Sequence, residues 1–225
     1  MFERFTEPAN QVMCLACEEA DRLRHDYVGP EHVLAGLTRQ EDSRAAAILR
    51  EAGLDPEAVR AGLDRLVAQQ ILPPAWRNKT DLLHSLGIDL PAVQRTIEES
   101  FGTQAVCAAS RRALGRSWLR EDRIVTENPL AGKAVLTKRA FYLAAQEADA
   151  LGSHGISPEH LLLGVLRDAQ NPAGRPRLSR RVRRVRAHLG LPEHGPSAVK
   201  LIIEANDGSL DALRAEVLAQ LHTPA

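Results

Sequence analysis

No stretch of this sequence stays apolar for the roughly 18 residues that a membrane-spanning helix requires, and its opening, Met1-Phe2-Glu3-Arg4-Phe5-Thr6-Glu7, lacks the basic and then apolar order of a secretory signal. Cysteine is scarce: three in 225 residues, an odd number that does not close a disulfide framework and suits a reducing compartment. The expectation is a cytoplasmic protein with no membrane partner. An excess of one charge is missing too, because 29 basic side chains balance 29 acidic ones, so no whole-molecule field draws the chain to nucleic acid or bilayers. Aromatics make up only 4%, and no segment alternates apolar and polar residues for long, which argues against strands.

Catalytic signatures are also absent from the 225 residues. A P-loop needs G-x-x-x-x-G-K-[ST] so that backbone N–H groups and a lysine can hold phosphates. The single Gly-Lys pair, Gly132-Lys133, is followed by Ala134 and has no upstream glycine. No nucleophile, base and orienting group recur at a useful spacing. The chain is therefore read as a non-enzyme without cofactor.

What is present is helical periodicity. Val12, Leu15, Ala16, Ala20 and Leu23 mark one face of a helix that Thr6 can cap, with Glu7 and Pro8 in its first turn. Pro30 opens a second helix. Ser43 caps a third, which runs to about Ala52 and stops at Gly53, and Asp55-Pro56-Glu57 starts a fourth.

An internal repeat then organises the chain. Cys17-Glu18-Glu19-Ala20-Asp21-Arg22-Leu23 recurs as Ala145-Gln146-Glu147-Ala148-Asp149-Ala150-Leu151, and Pro30-Glu31-His32-Val33-Leu34-Ala35-Gly36-Leu37 recurs as Pro158-Glu159-His160-Leu161-Leu162-Leu163-Gly164-Val165, both at an offset of 128. Ser43–Val67 aligns with Ser197–Leu221 at an offset of 154, so the second copy carries 26 extra residues near 168–196. The expected fold is all-α: two pseudo-twofold-related four-helix repeats, 1–69 and 137–221, with extra helices inserted. Residues 70–136 hold an additional helix pair and a linker, since Gly87-Ile88-Asp89-Leu90-Pro91 echoes Gly53-Leu54-Asp55-Pro56-Glu57 and a short helix is expected near Ala108–Leu114.

The repeated residues, with Met1-Phe2-Glu3-Arg4-Phe5-Thr6, resemble the N-terminal domain of the Clp chaperone ATPases, closest to the ClpC type. That resemblance implies a bundle of two four-helix repeats that receives adaptors and substrates, without the motor. It also implies a phosphoarginine pocket in which a helix start and a hydroxyl suit phosphate while a carboxylate suits guanidinium. Thr6 and Glu31 carry this over in the first copy. In the second, Glu159 is retained but the offset places Ala134 opposite Thr6, with Thr137 three positions late. Phe2 matches an aromatic position through which the family binds cyclic-peptide antibiotics; its counterpart by offset is Leu130. The plain alternative is that Thr6 only caps a helix and both glutamates only favour helix starts.

Other candidates have simpler readings. His32 and His160 lack the H-E-x-x-H spacing of a zinc site and are expected to bond to backbone, so no metal is assigned. Cys14 and Cys17 fall mid-helix, away from the helix start that activates redox pairs, and are expected to be buried or partly buried thiols. The insertion carries seven arginines between Arg175 and Arg186. Arg180, Arg181, Arg183 and Arg184 would line the exposed face of a helix capped by Ser179, a cationic surface for an acidic protein or nucleic acid, although no stacking aromatics accompany it. The leading expectation is a decoy or adaptor that binds peptides, cyclic-peptide natural products or phosphoarginine proteins and meets Clp protease components. A regulator binding nucleic acid or an acidic partner through Arg175–Arg186 is the second.

Overall fold

The structure, a computed structural model, describes residues 2–25, 27–72, 134–170 and 197–222, with Ala92, Thr96, Glu99 and Ser100, which are helical. Among the described residues it is all-α apart from two-residue strands. A 3-10 turn, Phe2–Arg4, precedes α1 (Glu7–Arg22), β1 (Tyr27–Val28), α2 (Pro30–Arg39), α3 (Arg44–Glu51) and α4 (Pro56–Ala68). The second set is β2 (Ala134–Val135), α5 (Lys138–Ala150), α6 (Pro158–Gln170), α7 (Ala198–Glu204) and α8 (Leu210–His222). No helix among the described residues is long and apolar enough to cross a membrane.

Residues 1–75 and 132–225 form one compact unit containing both repeats; 76–131 form another. The expected helix near 108–114 and residues 171–196 of the insertion, including Arg180, Arg181, Arg183 and Arg184, lie outside the described residues, as do Leu130 and Cys107.

Local chemistry sets the helix ends. Side-chain oxygens of Thr6, Ser43 and Asp55 accept from the amides of Ala9 (3.4 Å), Ala46 (3.1 Å) and Ala58 (2.8 Å), each satisfying a donor with no partner inside its helix. Pro8, Pro30 and Pro56 sit in first turns, where a missing N–H does no harm. Helix α3 closes at Ala52 with Gly53 in the left-handed region (φ 75°). At the ends of α1 and α5 that conformation falls on Arg24 (φ 55°) and Gly152 (φ 69°), equivalent by the 128 offset.

Each repeat begins with an antiparallel hairpin. Gln40, at the C-cap of α2, reaches Gln11 of α1, Arg39 reaches Glu18, and His32 reaches His25 beyond the other end. The helices cross where Gly36 and Gly164 let backbones touch. A Cβ on Gly36 would lie 2.5 Å from the Val12 carbonyl oxygen, and one on Gly164 would collide with that of Ala140. Helices α2 and α6 form the centre: Val33, Leu34, Leu37, Leu161, Leu162 and Leu163 are essentially inaccessible, each stabilising the fold by about 1.5–3 kcal/mol.

The repeats recur in side-chain detail. Buried Glu19 of α1 accepts from Arg60 of α4, and buried Glu147 of α5 accepts from Arg214 of α8. The glutamates are 128 residues apart and the arginines 154, so both offsets meet in one ion pair per repeat. Arg39 and Arg167 likewise reach Glu18 and Gln146.

Candidate functional site

The loop-to-helix junctions are built from both repeats. Phe5 bridges to Ile156 in parallel; the Thr6 amide donates to the Ile156 carbonyl (3.0 Å) and the Ile156 amide to that of Arg4 (2.7 Å). Phe5 meets Phe141 edge to face at 5.4 Å. This first junction joins the starts of α1 and α6. At the second, β1 pairs with β2, and the Leu136 amide donates to the Val28 carbonyl (2.9 Å), joining the starts of α2 and α5.

Consequently Thr6 and Glu31 are not brought together. They open consecutive antiparallel helices and lie at opposite ends of one hairpin, whereas Thr6 shares its junction with Glu159, three residues beyond Ile156. Glu31 belongs to the junction of Leu136 and Thr137.

The counterpart of Thr6 is also revised. By hydrogen bonding it is Leu136, at an offset of 130, because the strand slips by two relative to the helices. Ala134 lies in β2, and Thr137 takes the N-cap position of α5 with no side-chain capping bond. Its hydroxyl is buried and without a hydrogen-bond partner among the described residues. The second junction therefore has no hydroxyl at the strand position that Thr6 fills in the first, and its N-cap hydroxyl, on Thr137, is buried.

The glutamates differ for a local reason. A Cβ on Gly29 would lie 2.5 Å from Glu31 Oε2, so the carboxylate folds over its own N-cap, and Glu31 is buried. Ser157 has the Cβ that Gly29 lacks. There the Ser157 hydroxyl donates to Glu159 Oε2 (2.6 Å), while Oε1 turns across to accept from the Ala45 amide at the start of α3 (3.3 Å). Glu159 is only half-buried. Each of its oxygens retains a further lone pair.

Both histidines act as expected on backbone. His32 Nδ1 accepts from the Gly29 amide (2.9 Å) and His160 Nδ1 from the Ser157 amide (3.1 Å), each closing the start of its helix. Beyond that they diverge. His32 Nε2 lies 2.9 Å from His25 Nδ1, whereas position 153, equivalent to His25, is serine, and His160 Nε2 is buried with no hydrogen-bond partner among the described residues. Burial, chiefly, holds the His160 pKa below its ordinary value, aided by Arg4 and opposed by Glu159 and Glu147.

Two further residues, Gly155 and Arg4, shape the first junction. Gly155 stands where the first repeat has Tyr27, and a Cβ there would lie 3.1 Å from Thr6 Cγ2. Arg4 donates to Asp149 (2.7 Å) and to the His154 carbonyl (3.3 Å), tying the chain start to the α5–α6 loop. Phe2 lies in the 3-10 turn just before it. The cysteines depart in part from expectation: Cys17 is buried, but Cys14 is exposed, because it falls on the outer face of α1.

A half-buried carboxylate, a capping hydroxyl and a helix start from the other repeat thus share one junction. Residues 4–72 match the Clp repeat N-terminal domain. Over 97% of its length the chain is 27% identical to the negative regulator of genetic competence ClpC/MecB of Bacillus subtilis, spanning 21% of that protein. Over 175 residues it is 30% identical to the chloroplastic chaperone protein ClpC1 of Oryza sativa, covering 78% of this chain and 13% of that one. The fold matches the N-terminal domain of the caseinolytic protease associated chaperone ClpD from Arabidopsis thaliana with a TM-score of 0.53, at 17% identity, over 99% of this chain and 97% of the other. The chain thus shares the all-α fold of that N-terminal domain, and the family match lies on its first repeat. Its second repeat repeats the first one's ion pairs and glycine crossing.

Proposed function

We propose that this Clp N-type protein is a noncatalytic receiver that binds peptides and modified proteins in the cytoplasm, as a decoy or adaptor beside Clp protease components. Its ligands are ClpC-directed cyclic peptides and phosphoarginine-tagged proteins. The observation that favours this reading is the junction where Thr6, at the start of α1, meets the α6 start that carries Glu159. The helix start, and the Thr6 hydroxyl on turning away from the Ile156 carbonyl (3.4 Å), offer donors to a phosphate, and a half-buried carboxylate with lone pairs to spare offers acceptors to a guanidinium. Phe2, just upstream in the chain, is the contact assigned to an apolar ring. Glu31, folded over its own N-cap, ranks below Glu159, and the second junction, with Leu136 in place of Thr6, ranks below the first.

Titration calorimetry with phosphoarginine and with a ClpC-directed cyclic peptide tests the reading. Thr6→Ala and Glu159→Gln should each weaken phosphoarginine binding, and Phe2→Ala should weaken the cyclic peptide. No heat from either ligand at millimolar concentration would sink the proposal. Binding that Glu31→Gln abolishes and Glu159→Gln spares would move the pocket to the other junction.

A further inference from the structure

The second repeat contains a buried histidine whose first-repeat equivalent has a partner it lacks. Both His32 and His160 sit in the first turn of a central helix with Nδ1 facing the N-cap amide. An imidazole whose Nδ1 accepts a backbone N–H must carry its single proton on Nε2. In the first repeat that N–H points at His25 Nδ1, 2.9 Å away. In the second, Ser153 stands at the His25 position and turns its hydroxyl to the Gly155 carbonyl (2.8 Å), so His160 Nε2 has no acceptor among the described residues.

We propose that His160 is an acid-sensitive latch on the α1–α6 junction: while neutral it holds the start of α6 closed, and on taking a proton it releases the bridge between Thr6 and Ile156. A second proton has to enter at Nδ1, where it replaces the bond from the Ser157 amide (3.1 Å), leaves the ring only the Ser157 hydroxyl (2.9 Å) to donate to, and adds positive charge to a helix N-terminus, the end that disfavours cations. Ser157 follows Ile156 directly, and Ile156 both accepts from the Thr6 amide and donates to the Arg4 carbonyl. Loss of the Ser157 bond therefore acts on the residue that ties α1 to α6.

The charges bearing on the ring are few. Glu159 of α6 and Glu147 of α5 favour the proton, and Arg4 of the 3-10 turn opposes it. Glu147 is already matched by Arg167 of α6 and Arg214 of α8, and Arg4 by Asp149 of α5. Helix α3 brings only its Ala45 amide, to Glu159. From α1, α2 and α7 no charged group among the described residues bears on His160. Burial is the largest influence and disfavours the charged ring. The sign follows: a histidine held below its unfolded value near 6.5 contributes stability above that pH and loses it as the pH falls.

The test is site-resolved amide exchange in the whole chain by NMR, at about pH 7.5 and about pH 5.5, with protection corrected for the intrinsic rate. Thr6 and Ser157 amides should lose up to about tenfold in protection on acidification, the largest factor one histidine of ordinary unfolded pKa can supply over that interval. His160→Gln keeps a Ser-x-x-Gln capping box that does not titrate, and its change should stay within about twofold. His154→Gln, in the adjoining loop, should behave as wild type. Equal acid loss in wild type and His160→Gln, or no loss in either, would overturn the latch. In wild type alone, a His160 ring titrating at the ordinary value with an unmoved Thr6 amide would do the same.

Discussion

Arg60 donates from Nε to Glu19 Oε2 across 3.1 Å, joining α4 to α1 over a carboxylate that has no exposed surface. Arg214 repeats this with Glu147 in the second half, 3.1 Å from each carboxylate oxygen. Removing an arginine leaves a buried anion with less compensation, whereas the arginine itself can return to water. Arg22 still serves Glu19 when Arg60 is gone, and Arg167 still serves Glu147. Arg60→Ala and Arg214→Ala should therefore each lower stability by about 2 kcal/mol, below the full cost of an orphaned buried charge. Urea denaturation measures this, and equal stability of Arg60→Ala and wild type would refute it.

The glycine crossings should be intolerant of a single methyl group. At Gly36 and Gly164 the obstructing atoms are main-chain atoms of the partner helix, including the Ala16 and Ala144 amide nitrogens at 3.0 and 2.7 Å from a Cβ. The backbones must separate to admit it. Gly36→Ala and Gly164→Ala are each expected to cost about 2 kcal/mol or more despite alanine's better helix propensity, read as a lowered thermal midpoint.

Capping side chains should divide by what they bond. Asp55→Ala removes the acceptor of the Ala58 amide and should cost about 1 kcal/mol. Thr137→Val replaces a buried hydroxyl that has no partner among the described residues by a methyl group of the same shape, and should raise stability by about 1 kcal/mol. Chemical denaturation of the pair distinguishes them by sign.

Gly155 and Thr6 should be coupled. Gly155→Ala brings a Cβ to 3.1 Å from Thr6 Cγ2, and the threonine must give way. Thr6→Ser keeps the hydroxyl and deletes that methyl, so the double variant is expected to be more stable than the two single effects add up to, by about 0.5 kcal/mol or more in a double-mutant cycle.

Much of this was legible in the residues, for identifiable reasons. The two offsets emerged because helix faces and helix starts are local patterns, and the Glu19–Arg60 and Glu147–Arg214 pairs now bind them together. Caps at Thr6, Ser43 and Asp55 were legible because a capping bond spans three residues. What escaped is long-range. The pairing of Thr6 with Ile156 instead of with the Glu31 end depends on how two repeats interlock, and an offset counts residues without recording which copy completes which. The two-residue slip that makes Leu136 the counterpart of Thr6 is carried by a strand pair too short to leave a pattern. The divergence of His160 from His32 was hidden in Ser153, whose only signal is that it occupies the place of His25.

The reciprocal joining of helix starts has a consequence for how such a chain can be divided. Neither half finishes its own loops: the first lends Thr6 to Ile156 and the second lends Leu136 to Val28. A fragment cut between them should not melt as an autonomous module, and the intact pair should unfold in one cooperative transition. A solitary half could regain its missing partners only by associating face to face with an identical molecule, so the internal twofold is what a symmetric dimer becomes once its subunits share a single polypeptide.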